Sequence, residues 1–237
     1  MTYDQYLNLP HLDTQQKSIL AVSFALFNLG LAFATWASRV PDVRNLALLT
    51  ATTLGYVLLF RGLGTLVMMP IIAWLIPKFG SKNVALFMGC MVALTLFPIS
   101  LMDHWFSLAL LMMTIGMCSS GFNISLNSLG SVVETETGQS HMSKIHSWFG
   151  VGMVFGAIFG TLATRLSWSV HIHFGLVSLM MVLILAFVAN YLPNDKPNTE
   201  ATIPTFMWPH DGPVSYTHLR AHETRHALVC RRLLEKK

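Results

Sequence analysis

Residues 106–133 read FSLALLMMTIGMCSSGFNISLNSLGSVV, 28 consecutive positions without a charged side chain. A helix needs about 20 mainly apolar residues to cross a bilayer, and this run exceeds that. It does not alternate apolar with polar as a half-buried strand does, and it is too long for one strand. Working outward, the same kind of run recurs at 18–38, 52–76, 84–102, 146–166 and 173–192. Short polar punctuations separate them: RVPDVRN, PKFGSKN, DHW, ETETGQSHMSK and SWSVH. None leaves room for a soluble domain. The sequence therefore predicts an all-α membrane protein with six transmembrane helices.

Composition agrees. Of 237 residues 53% are hydrophobic and 11% charged, with a mean hydropathy of +0.55; soluble domains carry about 25% charged residues. Too few charges remain to cover a wet surface, so lipid covers it. The net charge of +4 resides in the tail 214–237, VSYTHLRAHETRHALVCRRLLEKK, which holds six Lys/Arg against two Glu, while the rest of the chain is balanced. Cys90 and Cys118 lie within apolar runs and Cys230 in the tail, with no zinc or redox spacing. The first 17 residues carry Asp4 and Asp13 rather than a basic leader, so the first span is expected to be uncleaved. Lys17, Lys78, Lys82, Lys144 and Lys196 fall on one side of the membrane and Arg39, Arg44 and Arg165 on the other. That excess of lysine places the N-terminus (1–17) in the cytoplasm. The Pro-rich stretch 193–213 reads as a cytoplasmic linker.

Polar groups inside spans mark either function or helix–helix attachment. Arg61, nine residues into the second span, reads as a cation on a solute or ion path, or as a snorkelling or structurally paired side chain. Asn123, Asn127 and Glu134 are spaced i, i+4 and i+11 along one helix face, with Ser119 and Ser120 on its flank. This is a cavity-lining stripe or a set of interhelical hydrogen bonds. Asn28, Thr35 and Arg39 form a weaker face of the same kind in the first span. Gly152, Gly156 and Gly160, at four-residue spacing, read as a close-packing face. His146, across a short connection from Glu134, is placed to form a proton-sensitive cytoplasmic gate with it, or to sit in headgroup water. His171 and His173 alone are not a metal coordination sphere. No nucleophile elbow, His-Glu-x-x-His or phosphate loop is present, so no cofactor, metal or ATP site is expected.

FATWASRVPDVRN (33–45), LGYVLLFRGLGTLVMMP (54–70), GFNISLNSLGSVVE (121–134) and HMSKIHSWFGVGMVFGAIFG (141–160) together resemble the amino-terminal half of a major facilitator superfamily transporter. The branch they resemble is that of the fucose-permease-like sugar permeases. The resemblance implies one half, a 3+3 inverted repeat over 18–192, of a twelve-helix carrier, with solute bound near the midplane between the halves. It implies cavity-lining first and fourth spans, which favours Asn123 and Asn127; with Asn28 and Arg61 from the residue pattern these are the expected solute-binding residues. Glu134, which matches the family pattern, is expected with His146 to form a gate or proton step. In the family's loop after the second span, Lys78, Gly80 and Lys82 fit the pattern, whereas Ala73 and Pro77 replace its first glycine and its aspartate. Asn123 stands where relatives of this branch carry an acid. The implied function is secondary active transport of a small polar, sugar-like solute across the bacterial inner membrane, driven by a proton or sodium gradient. The lipid bilayer, the solute, the coupling ion and a missing carboxy-terminal six-helix half are the expected partners; nucleic acid is not one. The tail resembles translated sequencing adapter, so a truncated carrier is expected. A six-span intramembrane hydrolase using His146 as base, and a non-transporting sensor on the same scaffold, are the alternatives.

Overall fold

The computed structural model describes residues 14–195. It contains six helices long and apolar enough to cross a membrane: α1 (Thr14–Leu46), α2 (Ala51–Phe79), α3 (Ser81–Leu96), α4 (Trp105–Thr137), α5 (Met142–Arg165) and α6 (Val170–Val188). Local chemistry sets their ends. The Thr50 hydroxyl accepts from the Thr53 amide at 3.1 Å at the start of α2. The imidazole of His104 does the same for the Phe106 amide, at 3.2 Å, before α4. Ser169 caps α6 through the Ile172 amide. Each such acceptor satisfies one amide that the first helical turn leaves without a partner. Gly138 ends α4 in the left-handed conformation, and Gly80 joins α2 directly to α3 at φ +80°.

Two boundaries differ from the sequence reading. The stretch 39–45 is not a connection; α1 continues through it to Leu46, Pro41 included. Its charges are absorbed by the helix itself: Arg39 and Asp42, three residues apart, form an ion pair at 2.7 Å. The third span, in contrast, tightens into a 3-10 turn over Phe97–Leu101, where Pro98 has no amide to continue the α-helical ladder.

Packing is governed by glycine. α1 packs chiefly on α5, and α4 chiefly on α2. In the first crossing, a Cβ added to Gly30 would strike the carbonyl oxygen of Phe149, and one added to Gly152 would strike that of Phe27. In the second crossing, Gly116 faces the carbonyl of Arg61 in the same way, and Gly64 that of Met113. The two crossings correspond residue for residue. Gly30 and Phe27 of α1 map onto Gly116 and Met113 of α4 with one offset of 86, and Arg61 and Gly64 of α2 map onto Phe149 and Gly152 of α5 with one offset of 88. Helices α1 and α2 thus correspond to α4 and α5, the pattern expected of an inverted repeat. Small residues let these backbones meet, which matters in lipid because there is no hydrophobic gain from hiding helix from tail. Phe122, Phe174, Leu26, Met112 and Met181 fill the interior. Leu59, Leu66, Val154, Ile158 and Phe187 are more than half exposed, the apolar exterior that a bilayer covers.

Candidate functional site

Between the repeats lies a cavity of about 500 Å³. Its walls are largely apolar, with Phe33 and Trp36 from α1, Met112 from α4 and Phe149 from α5. The polar lining consists of Arg61 and Thr65 on α2, Ser119, Ser120 and Asn123 on α4, and His146 on α5. Arg61 is placed there by the α2–α4 crossing, because its own carbonyl is the one that Gly116 abuts. Its guanidinium carbon sits 5.1 Å from the centroid of the Phe33 ring, a cation–π contact. Among the described residues it makes no ion pair. Phe149 holds the equivalent place in the second repeat and lines the same cavity, so the repeat symmetry is broken here by a charge.

The sequence-derived residues divide into three groups. Arg61, Asn123 and His146 meet in the cavity. Asn127, one turn beyond Asn123, lies behind them: its Oδ1 is 2.9 Å from His146 Nε2, so it holds the imidazole rather than lining the wall. Asn28 stands apart from the cavity, contrary to the expectation for it. It is fully buried, and its amide donates to the Met181 carbonyl at 3.0 Å, fastening α1 to α6. An asparagine facing a neighbouring helix and one facing a cavity look alike in an apolar run; only the helix rotation separates them.

The expected Glu134–His146 pair is also replaced by other partners. One Glu134 oxygen accepts from the His141 amide at 2.7 Å, the Met142 amide at 2.8 Å and the Ser140 hydroxyl at 3.1 Å. It therefore closes the α4–α5 connection and neutralises the free amides at the start of α5. His146 meets Asn127, not a serine hydroxyl. In the α2–α3 connection, the Lys78 ammonium lies 4.5 Å above the Trp74 ring. The Ser81 amide donates to Asp195 Oδ2 at 2.6 Å, and the Lys82 amide to its Oδ1 at 3.3 Å. Burial pushes the Asp195 carboxyl up, but the hydrogen bonds from Ser81 and Lys82 outweigh it and hold it below the usual carboxylate value. Asp195 had no signal beyond its place after the sixth span. Neither His171 nor His173 lies in a connection: His171 Nδ1 is 2.9 Å from the Ser100 hydroxyl, and His173 Nδ1 accepts from Arg39 Nε at 3.2 Å.

A polytopic helical bundle with the pattern of an inverted repeat, and a mixed polar and aromatic cavity at the repeat junction, defines a class of membrane protein. The chain belongs to the Major Facilitator Superfamily, whose family model matches residues 17–230. That match runs on into the tail, which lies outside the described residues. Similar proteins include an uncharacterized transporter of Sinorhizobium fredii, 33% identical over 61% of this chain and 38% of its own length. An uncharacterized MFS-type transporter of Yersinia pestis is 29% identical over 82% of this chain and 48% of its own. A membrane protein of Rhizobium meliloti, MosC, is 23% identical over 62% and 37%. The chain spans less than half the length of these relatives.

Proposed function

We propose that this chain forms one six-helix wall of a secondary active transporter that moves a small polar solute across the bacterial inner membrane by alternating access. The observation that carries this reading is the cavity. It joins a cation, an amide and three hydroxyls to aromatic faces at the junction of the inverted repeats, the place where a solute gripped between two rocking halves would sit. The names of the transporter relatives support it. The solute is hydroxyl-rich, in keeping with the sugar-permease likeness, and Ser119, Ser120 and Asn123 are its hydrogen-bonding wall. A second six-helix half, in keeping with the greater length of the relatives, supplies the opposite wall. A proton or sodium gradient drives the cycle, with the His146 imidazole, held by Asn127, in the cavity wall for the proton step.

The test is uptake by the full-length carrier, this chain together with the second six-helix half, reconstituted in vesicles under an inward proton or sodium gradient, against a panel of labelled sugars, polyols and sugar acids. Gradient-driven accumulation of at least one is expected. Asn123→Ala should lower the initial rate roughly tenfold, about the worth of one hydrogen bond, at unchanged abundance in the membrane. Absence of any gradient-driven accumulation overturns the carrier reading, and unchanged kinetics in the variant removes Asn123 from the site.

A further inference from the structure

We infer that the solute is a small monoanion, a hydroxyl-bearing carboxylate, whose charged end is taken by Arg61. The inference rests on the carrier reading and narrows it to a substrate class. Arg61 lines the cavity, and its contact there is the Phe33 ring, which offsets only part of the loss of water around a guanidinium. The carboxylates of the described residues are Asp42, Asp103, Glu134, Glu136 and Asp195, and none lines the cavity. Three of them are committed elsewhere: Asp42 to Arg39, Glu134 to the start of α5, and Asp195 to the start of α3. His146 adds no negative charge, and its Nε2 is engaged by Asn127.

Among the described residues, the cavity therefore presents the Arg61 cation and no carboxylate against largely apolar walls, where electrostatic attraction is poorly screened. A neutral polyol leaves that charge uncompensated. A carboxylate matches it, because the planar guanidinium offers parallel N–H donors to both oxygens. Repeat symmetry sharpens the point: the equivalent of Arg61 in the second repeat is Phe149, which lines the same cavity and does not contribute charge. Ser119, Ser120 and Asn123 are left for hydroxyls, and Trp36 and Phe149 for the carbon skeleton.

The probe is a cysteine in the lining: Ser120→Cys in protein whose Cys90, Cys118 and Cys230 are replaced by serine, with Cys118→Ala as the alternative if the buried serine is not tolerated. Modification rates are measured with anionic sulfonatoethyl and cationic trimethylammonioethyl methanethiosulfonate, each relative to its rate with a free thiol. The expected anion preference is about tenfold, the low end for a focused single-sign cleft. It should vanish in Arg61→Gln and return in Arg61→Lys. Gluconate should slow the modification and its neutral counterpart glucitol should not. A preference for the cationic reagent, a preference that survives Arg61→Gln, or equal effects of gluconate and glucitol overturns the assignment while leaving the carrier reading intact. If neither reagent reacts, the cavity is closed to water and both readings fail.

Discussion

Asp195 lies beyond the end of α6, yet it holds the first two amides of α3. Those amides carry the partial positive charge of the helix start, so a carboxylate there stabilises the helix by charge as well as by hydrogen bonding. Its carboxyl sits below the usual value, which fixes the sign of the pH effect. The stabilisation is present in full above the unfolded-state value and is lost as pH falls through the lower folded-state value. Asp195→Asn should lower the thermal midpoint of the detergent-solubilised protein at neutral pH by the equivalent of about 1 kcal/mol, with solvent screening drawing it toward the lower end of the capping range. The gap to wild type should close as pH drops well below about 4. A gap that stays constant to low pH would show that the carboxylate charge is not what matters. At this scale the sequence distinguishes residue types but not rotations. Arg61 and Asn123 were legible as candidates, and both line the cavity, because a charge and an amide deep in an apolar run are costly. Asn28 has the same signature, yet its Nδ2 donates to the Met181 carbonyl and it does not line the cavity. Glu134 and His146 were legible as neighbours across a short connection, but not as groups with different partners.

Helices as elements were legible from run length alone, because a run of about 20 apolar residues leaves few alternatives in a chain this poor in charge. Their ends were less so. Polar residues at 39–45 read as a stop, but without a free helix end a charge pair such as Arg39–Asp42 lets the helix continue. The glycines of α5 announced a packing face, while its partner came only from three dimensions. There the two crossings, α1 with α5 and α2 with α4, prove to be copies. That equivalence predicts equal sensitivity. Gly116→Ala and Gly30→Ala each set a Cβ against a carbonyl of the facing helix and should cost about 1–3 kcal/mol, the range for overpacking. Gly62→Ala, in the same helix as Arg61 but with nothing near its Cβ position, should be neutral or slightly stabilising, since alanine favours helix. Thermal unfolding of the three variants checks this. Gly116→Ala should in addition weaken the anion preference measured with the Ser120→Cys probe, because separating α2 from α4 moves the backbone that carries Arg61. Equal stability of Gly62→Ala and Gly116→Ala would mean that the close crossing does not hold the bundle.

For the whole molecule, alternation of six spans puts the starts of α1, α3 and α5 at one face of the bundle and those of α2, α4 and α6 at the other. Lysine gathers at the first face, with Lys17 at the start of α1, Lys78 and Lys82 around the α2–α3 connection, and Lys144 at the start of α5. The opposite face carries Arg39 and Arg44 near the end of α1 and Arg165 at the end of α5. Those arginines are not equivalent to free loop charges. Arg39 is buried and bonded to Asp42, His173 and the Trp168 carbonyl, and Arg44 donates to the Leu49 carbonyl. Two of the three are therefore structural, and the excess of free positive charge on the lysine face is larger than the bare count suggests. Because free basic residues in short loops are retained on the cytoplasmic side, the α4–α5 connection should be cytoplasmic and the α3–α4 connection should face outward. Fluorescent-protein fusions ending at Gln139 should therefore be bright, and alkaline-phosphatase fusions there inactive. At Asp103 the pattern should be reversed. The opposite result would place the Lys78, Lys82 and Asp195 assembly outside the cell and invert the side from which the cavity first meets its solute.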